Sequence, residues 1–144
     1  MRLKIELTRQ STIENCADDM DKEELQRRTK QYALNVLHIV DALPRTSAGR
    51  AIGNQLLRSA TSVGANYRAA CRARSRAEFA AKIGIVIEEA DESGYWLELI
   101  IDGTLLNDHD VIPLLQETNE LVAIFVTTRK TTQQTTSSII NLKS

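Results

Sequence analysis

Apolar residues recur at helical spacing in four successive segments of the chain. The first covers about residues 22–43 and the second about residues 48–73. The third runs from about residue 75 to 102, and the fourth from about residue 110 to 129. Apolar positions three and four residues apart form one stripe on a helix, and such a stripe packs against a core. The pattern therefore predicts four amphipathic helices.

Residues that start or stop helices stand between these segments. Pro44 cannot continue the first helix, and Ser75 with Glu78 forms a capping box that begins the third. Gly103 is well placed to end the third helix, and Asp110 is a suitable N-cap for the fourth. Because the connections are short, each helix is expected to run antiparallel to the next. We predict an all-α fold, an antiparallel up-down-up-down four-helix bundle.

The two ends of the chain lack this pattern. Residues 1–20 carry no sustained period and are predicted to form a flexible N-terminal arm. Residues 131–144 are rich in Thr, Ser and Gln and are predicted to form a flexible C-terminal tail. The bundle is then one domain of residues 21–130. No apolar run approaches the roughly 20 residues that span a bilayer, and no signal peptide is apparent. We therefore expect a cytoplasmic protein that does not bind membranes.

The formal net charge of −1 hides a strong separation of charge along the chain. Residues 44–82 hold eight Lys and Arg residues against one acid, Glu78, whereas residues 83–120 hold ten acids and no Lys or Arg. Two segments of opposite charge attract each other, or each attracts a partner of opposite charge. The arginines of the second helix fall on the side opposite its apolar stripe, and further arginines follow towards the third helix. The candidate nucleic-acid-binding residues are Arg50, Arg58, Arg68, Arg72, Arg74 and Arg76.

The third helix is apolar on two sides, so it has two surfaces to cover. Besides its core stripe it carries a second apolar set that is mixed with acids. So many like charges on one helix need countercharges opposite them, and the arginines of the second helix are the obvious source. Because those arginines point away from their own core, we expect the pairing between protomers of a homo-oligomer. The candidate oligomer-interface residues are Ile85, Glu88, Glu92, Tyr95, Trp96 and Leu99.

The sequence offers little for catalysis or cofactor binding. A metal site in a four-helix bundle needs Glu-x-x-His pairs that face the core. The residue three positions before His38 is Asn35 rather than Glu, and His109 is predicted to lie in a loop. The Ser and Thr residues of the second helix have no His or Lys partner within helical reach. The two cysteines, Cys16 and Cys71, are expected to be free thiols. We therefore expect no enzymatic activity, no cofactor and no metal.

The stretch from Leu43 to Ile101 contains an ordered set of motifs: QLLRSATSVGANYRAA, then SRAEF, then EEADES followed by YWLE. This set resembles the four-helix-bundle proteins named after 23S ribosomal RNA intervening sequences, whose relatives include accessory proteins of diversity-generating retroelements. The resemblance implies an antiparallel bundle, commonly a ring-shaped homopentamer, with no known catalytic activity. The accessory proteins further imply binding to nucleic acid and to a reverse-transcriptase partner. One departure is Ala69, where the family usually carries Glu.

Two functions are consistent with these patterns. The first is a non-enzymatic oligomeric binding or scaffolding module that contacts RNA or DNA, or a nucleic-acid-processing partner, through the basic face of the second helix. The alternative is a purely structural homo-oligomer whose charged faces serve assembly, with no nucleic-acid role. Aromatic residues for base stacking are scarce, at 4% of the chain. A loss of RNA or DNA affinity with rising salt would distinguish the first function from the second.

Overall fold

The computed structural model describes the backbone of residues 2–143 and the side chains of residues 21–143. It contains four α-helices: α1 spans Arg2–Ala42, α2 spans Ser47–Ala70, α3 spans Arg76–Asp102 and α4 spans Asp108–Lys143. Helices that follow one another in the chain pack side by side, and α1 also contacts α4. Residues 2–143 contain no strand. The predicted all-α, four-helix arrangement is confirmed.

The core is built from one stripe of each helix, at the apolar positions that recur every three or four residues. Burial of such side chains stabilises the bundle by roughly 25 cal/mol for each Å² removed from water. The residues of this core cluster are Tyr32, Val36 and Ile39 of α1, Leu43 just after it, Leu56, Ala60, Val63, Tyr67 and Ala70 of α2, Ile83, Val86, Ala90, Leu97 and Ile100 of α3, and Val111, Leu114, Leu121 and Phe125 of α4.

A layer of buried hydroxyls crosses this core, with one hydroxyl from each helix. The Tyr32 hydroxyl and Thr118 Oγ1 lie 2.7 Å apart, which joins α1 to α4. Ser59 Oγ and Ser93 Oγ lie 2.8 Å apart, which joins α2 to α3. Burial raises the pKa of Tyr32, and hydrogen bonds with Thr118 and Ser93 partly offset that effect. Among the described side chains no buried polar atom lacks a partner, so the hydrogen bonds of this layer offset the cost of burying its hydroxyls and can hold the helices in register.

The seam between α1 and α4 is closed by a charge pair. Arg28 binds Glu117 through two hydrogen bonds, with Nε to Oε1 at 2.7 Å and Nη2 to Oε2 at 2.9 Å. The same guanidinium reaches Glu120 at 2.5 Å. The hydrogen bond to Glu117 raises the pKa of Arg28 despite some burial. A bidentate pair of this kind fixes the relative position of two helices better than a single-point contact does.

Local capping residues start α2 and α3. The hydroxyl of Thr46 accepts from the Gly49 backbone N–H at 3.1 Å. The hydroxyl of Ser75 accepts from the Glu78 N–H, also at 3.1 Å. The Glu78 carboxylate in turn accepts from the Arg74 N–H at 3.1 Å. The capping box predicted at the start of α3 is therefore present, with its return bond one residue before the cap.

The predicted end of α3 is confirmed, whereas the predicted start of α4 is wrong. α3 ends just before Gly103, as predicted. α4 begins at Asp108, and the His109 backbone N–H donates to Asn107 Oδ1 at 3.3 Å. The prediction of Asp110 as N-cap is therefore wrong, because Asn107 takes that role one turn earlier and leaves Asp110 inside the first turn.

At the C-terminal end, α4 continues to Lys143, where irregular chain was predicted from residue 131. The threonines of this segment donate to carbonyl oxygens four residues earlier, as Thr131 does to Thr127 at 3.0 Å. Their hydroxyls are thus bonded along the helix rather than to a competing turn. The flexibility of this tail stays a prediction. The predicted N-terminal arm, residues 1–20, and Cys16 within it lie outside the described side chains.

Two glycines occupy contrasting positions. A Cβ on Gly49 would lie 2.0 Å from the carbonyl oxygen of Pro44, a backbone atom that cannot move aside. A Cβ on Gly84 would lie 3.4 Å from the Arg129 Cζ, which is an ordinary contact with the end of a flexible side chain. Gly49 is therefore required by the turn between α1 and α2, and Gly84 is not required by its neighbours.

Candidate nucleic-acid interface

The six candidate arginines are all exposed, but they do not form one stripe. Arg50 and Arg72 are 22 residues apart in the chain, which corresponds to roughly 33 Å along a helix. α2 ends at Ala70 rather than near residue 73 as predicted. Arg72 and Arg74 therefore lie on the connection to α3, and Arg76 is the first residue of α3. Arg50 belongs to the opposite end of the bundle.

Arg58 is engaged within its own chain. Its Nη2 forms an ion pair with Glu92, and its Nη1 lies 3.4 Å from Glu89 Oε2. Trp96 also donates its indole N–H to Glu92 Oε1 at 3.3 Å. The hydrogen bond from Arg58 holds the pKa of Glu92 below its usual range. The expectation that these charges pair between protomers is wrong for Arg58, because α2 and α3 are adjacent and bring the partners together on one surface.

One end of the bundle collects cations without acidic partners. The antiparallel arrangement brings together the C-terminal end of α2, the first turns of α3 and the middle of α4. The contact between Gly84 and the Arg129 guanidinium places α4 against α3 here. None of the collected cations forms an ion pair or a side-chain hydrogen bond within residues 21–143. We call this set the basic end: Arg68, Arg72, Arg74, Arg76, Lys82, Arg129 and Lys130.

The opposite end of the bundle carries exposed acids. It contains the connection between α1 and α2 and the connection between α3 and α4. The exposed acids there are Asp41, Asp102, Asp108 and Asp110. Arg45 and Arg50 lie at this end too, and Arg50 donates to the Arg45 carbonyl oxygen at 3.0 Å. Part of the charge separation along the sequence thus becomes a separation along the bundle axis.

The predicted oligomer-interface residues lie on one partly exposed side of α3, and Trp96 among them also packs against the core. Tyr95 exposes 54% of its surface and Ile85 exposes 39%, whereas Trp96 and Leu99 are half-buried. The rings of Tyr95 and Trp96 pack edge to face with centroids 5.1 Å apart. Clustered exposed apolar side chains of this kind often mark contact surfaces. We call this set the outer face of α3: Ile85, Glu88, Glu92, Tyr95, Trp96 and Leu99.

A cleft of about 900 Å³ opens at the basic end, and all four helices contribute to its walls. Half-buried Leu25, Phe79 and Ile124 give it an apolar lining. Arg74 and Arg76 line it as well. Sequence reasoning missed this cleft because one wall is the threonine-rich part of α4, which was predicted to be irregular.

The rest of the described chain offers few reactive groups. No three His, Cys, Asp or Glu side chains within residues 21–143 come together as metal ligands would. No helix in the described part is long and apolar enough to cross a membrane. Cys71 is a half-buried free thiol that lines the cleft. The described residues therefore offer groups suited to binding, namely a cationic surface beside a partly apolar cleft.

The model of one protein family, the 23S rRNA-intervening sequence proteins, matches residues 21–127. The chain belongs to this family. A crystal structure at 1.70 Å resolution of a protein with unknown function from the S23 ribosomal protein family of Bacteroides thetaiotaomicron VPI-5482 is also similar, with 30% sequence identity and a TM-score of 0.69. That similarity covers 73% of this chain and 97% of the other. No curated protein matches. The relation to retroelement accessory proteins stays a prediction.

The family match covers some surfaces of this 23S rRNA-intervening sequence protein and leaves out others. It includes the whole outer face of α3 and the arginines between α2 and α3. It ends before Arg129 and Lys130, and before most of the threonines that line the cleft. The cleft is therefore built partly from the region that the family model matches and partly from a region beyond it.

Proposed function

We propose that this protein is a non-enzymatic, oligomeric binding module that contacts nucleic acid through its basic end. The observation that carries the proposal is the set of cations there that have no acidic partner within residues 21–143. Phosphate contacts are individually weak but additive, and they need cations that are not already neutralised. The proposed site differs from the basic face of α2 that the sequence suggested, because Arg58 is paired and Arg50 lies at the other end.

The resemblance to retroelement accessory proteins supports two extensions of this proposal. The first is that the protein assembles as a ring, most simply a homopentamer, which would repeat the basic end around one axis. The second is that the nucleic acid is presented by a reverse-transcriptase partner. In both, the protein acts in the cytoplasm and supplies binding surface rather than chemistry.

The test replaces Arg72, Arg74 and Arg76 by Gln and measures binding to short random-sequence single-stranded RNA and DNA by fluorescence anisotropy. The wild-type affinity should fall steeply between about 50 and 200 mM salt. The triple variant should bind roughly ten- to hundredfold more weakly at low salt, and its log–log salt slope should be smaller by about 2 to 3.

The matched control replaces Arg45 and Arg50 by Gln. Both are exposed arginines at the opposite end of the bundle, where the exposed acids lie. This double variant should bind like the wild type, because its changes lie far from the basic end. Circular dichroism checks that both variants keep their helices. A wild-type protein that ignores RNA and DNA, or a triple variant that binds as well as the wild type, contradicts the proposal.

A second candidate function is a purely structural homo-oligomer. The observation that favours it is the outer face of α3, where Tyr95 and Ile85 expose large apolar side chains. Fully exposed, such a patch costs solubility, and a protein contact would cover it. This candidate assigns no role to the basic end, so the binding experiment above separates the two functions.

A further inference from the structure

The cleft at the basic end combines three kinds of wall. Phe79 and Leu25 provide half-buried apolar surface. Arg74 and Arg76 provide cations that have no acidic partner in the described chain. α4 provides a stripe of threonines on one side of the helix, at residues 127, 128, 131, 132 and 135. A volume of about 900 Å³ lies in the range of small-molecule sites, roughly 300 to 1,000 Å³.

The threonine wall has a defined hydrogen-bonding character. Thr127 donates its hydroxyl proton to the Ala123 carbonyl at 3.0 Å. Thr131 donates to Thr127 at 3.0 Å, and Thr135 donates to Thr131 at 2.9 Å. A hydroxyl has one proton and two lone pairs. Since each proton is used along the helix, the oxygens that line the cleft act only as acceptors.

The ligand must therefore satisfy three requirements at once. It needs an anionic group for the arginines, a flat or apolar part for the lining around Phe79, and N–H donors for the threonine oxygens. A phosphate with a sugar and a nucleobase meets all three. The Watson–Crick edge of a base, with both amino protons, is free only when the base is unpaired, so a single strand offers this edge and a duplex does not.

The cleft also contains acidic groups, which limit the alternatives. Asp21 and Glu24 line it on the side of α1. Glu24 is paired with Arg27 in the same helix, with Nη2 to Oε1 at 2.5 Å. The remaining carboxylate, Asp21, favours a ligand part that donates hydrogen bonds over a second anionic group. Lys22 lines the cleft as well and, with Arg74 and Arg76, supplies cations for a phosphate, so an amino-bearing base beside a phosphate fits both kinds of lining.

From this geometry we infer that the cleft receives one unpaired base of a single-stranded nucleic acid and prefers a base with an exocyclic amino group. The inference rests on the proposed function, because the phosphate next to that base is held by the basic end. Cytosine and uracil provide the sharpest comparison. They have the same ring size and stack weakly, but cytosine presents an amino donor where uracil presents a carbonyl acceptor. That carbonyl would face the threonine oxygens, acceptor against acceptor.

The experiment measures the affinities of the full chain for fluorescein-labelled oligo(C) and oligo(U) of equal length, by anisotropy at one low salt concentration. One hydrogen bond gained corresponds to about a three- to tenfold tighter complex with oligo(C). The Thr131→Val/Thr135→Val double variant keeps the shape of both side chains and removes two acceptors. Its preference for oligo(C) should disappear, its affinity for oligo(U) should not fall because two opposing acceptors are gone, and its salt slope should match the wild type.

The matched control is Thr61→Val. Thr61 is exposed on α2, and its hydroxyl is bonded to the Leu57 carbonyl at 2.7 Å in the same way. It does not line the cleft, so this variant should keep the preference for oligo(C). Equal affinities of the wild type for the two oligomers, or a preference that survives in the double variant, overturns the inference but leaves the proposed function standing. Failure of both oligomers to bind overturns both.

Discussion

Tyr32 shows how much one side chain contributes to the fit of the four helices. It is 1% exposed, and its hydroxyl forms a hydrogen bond with Thr118 of α4. Apolar periodicity predicted that Tyr32 lies in the core. It could not predict the partner, because spacing along one helix identifies the buried side and not the residue that faces it from another helix. Arg58 shows the same limit at the surface, since its partners Glu89 and Glu92 are on α3.

We expect Tyr32→Phe to lower the free energy of unfolding by about 1 kcal/mol, the usual net value of one buried hydrogen bond. The variant keeps the ring, so apolar packing is unchanged, and Thr118 retains its bond to the Leu114 carbonyl. Thr61→Val is the control, because Thr61 is exposed and its hydroxyl bonds only carbonyls of its own helix, so its loss should be nearly neutral. Urea unfolding followed by circular dichroism measures both. Equal stabilities of the two variants would show that the hydroxyl layer does not stabilise the bundle.

At the level of helices, most of the architecture was predictable because the signals are local. Pro44, Ser75 and Gly103 act within one turn of chain, and the helices stop or start beside them. The end of α4 was not predictable in this way. Threonine has a low intrinsic helix propensity, whereas the bonds from each hydroxyl to a carbonyl four residues earlier exist only once the helix is formed. The cleft was missed for the same reason, as its threonine wall depends on that extension.

The two contrasting glycines give a prediction at this scale. Gly49→Ala should lower the free energy of unfolding by about 1 to 3 kcal/mol, because its Cβ would overlap the Pro44 carbonyl oxygen and force the turn apart. Gly84→Ala should raise it by up to about 1 kcal/mol, because alanine favours a helix interior and meets only the Arg129 guanidinium. Thermal and urea unfolding of the two variants check the opposite signs. A loss of stability in both would mean that α3 and α4 also approach too closely for a methyl group.

For the whole molecule, the outer face of α3 and the basic end consist of different residues, so assembly and binding can be tested by different substitutions. A Glu placed at Tyr95 or Ile85 would carry an unpaired charge into any contact that this face makes, which costs several kcal/mol when it is desolvated. We expect Tyr95→Glu and Ile85→Glu to shift the protein to smaller species in multi-angle light scattering. Leu34→Glu is the control, since Leu34 is 41% exposed on α1, a helix that does not pack against α3. Variants that keep the wild-type mass would place the interface elsewhere.

The separation of charge between the two ends has a further consequence. A bundle with an excess of cations at one end and an excess of carboxylates at the other carries a permanent electric dipole along its long axis, although its formal net charge is only −1. In the field of a polyanion such a molecule experiences a torque before it makes any contact, and it turns its positive end forward. Orientation of this kind raises the rate of productive encounters at low ionic strength and fades once salt shortens the range of the field to about 10 Å. A protein with almost no net charge can in this way still approach a nucleic acid end-on.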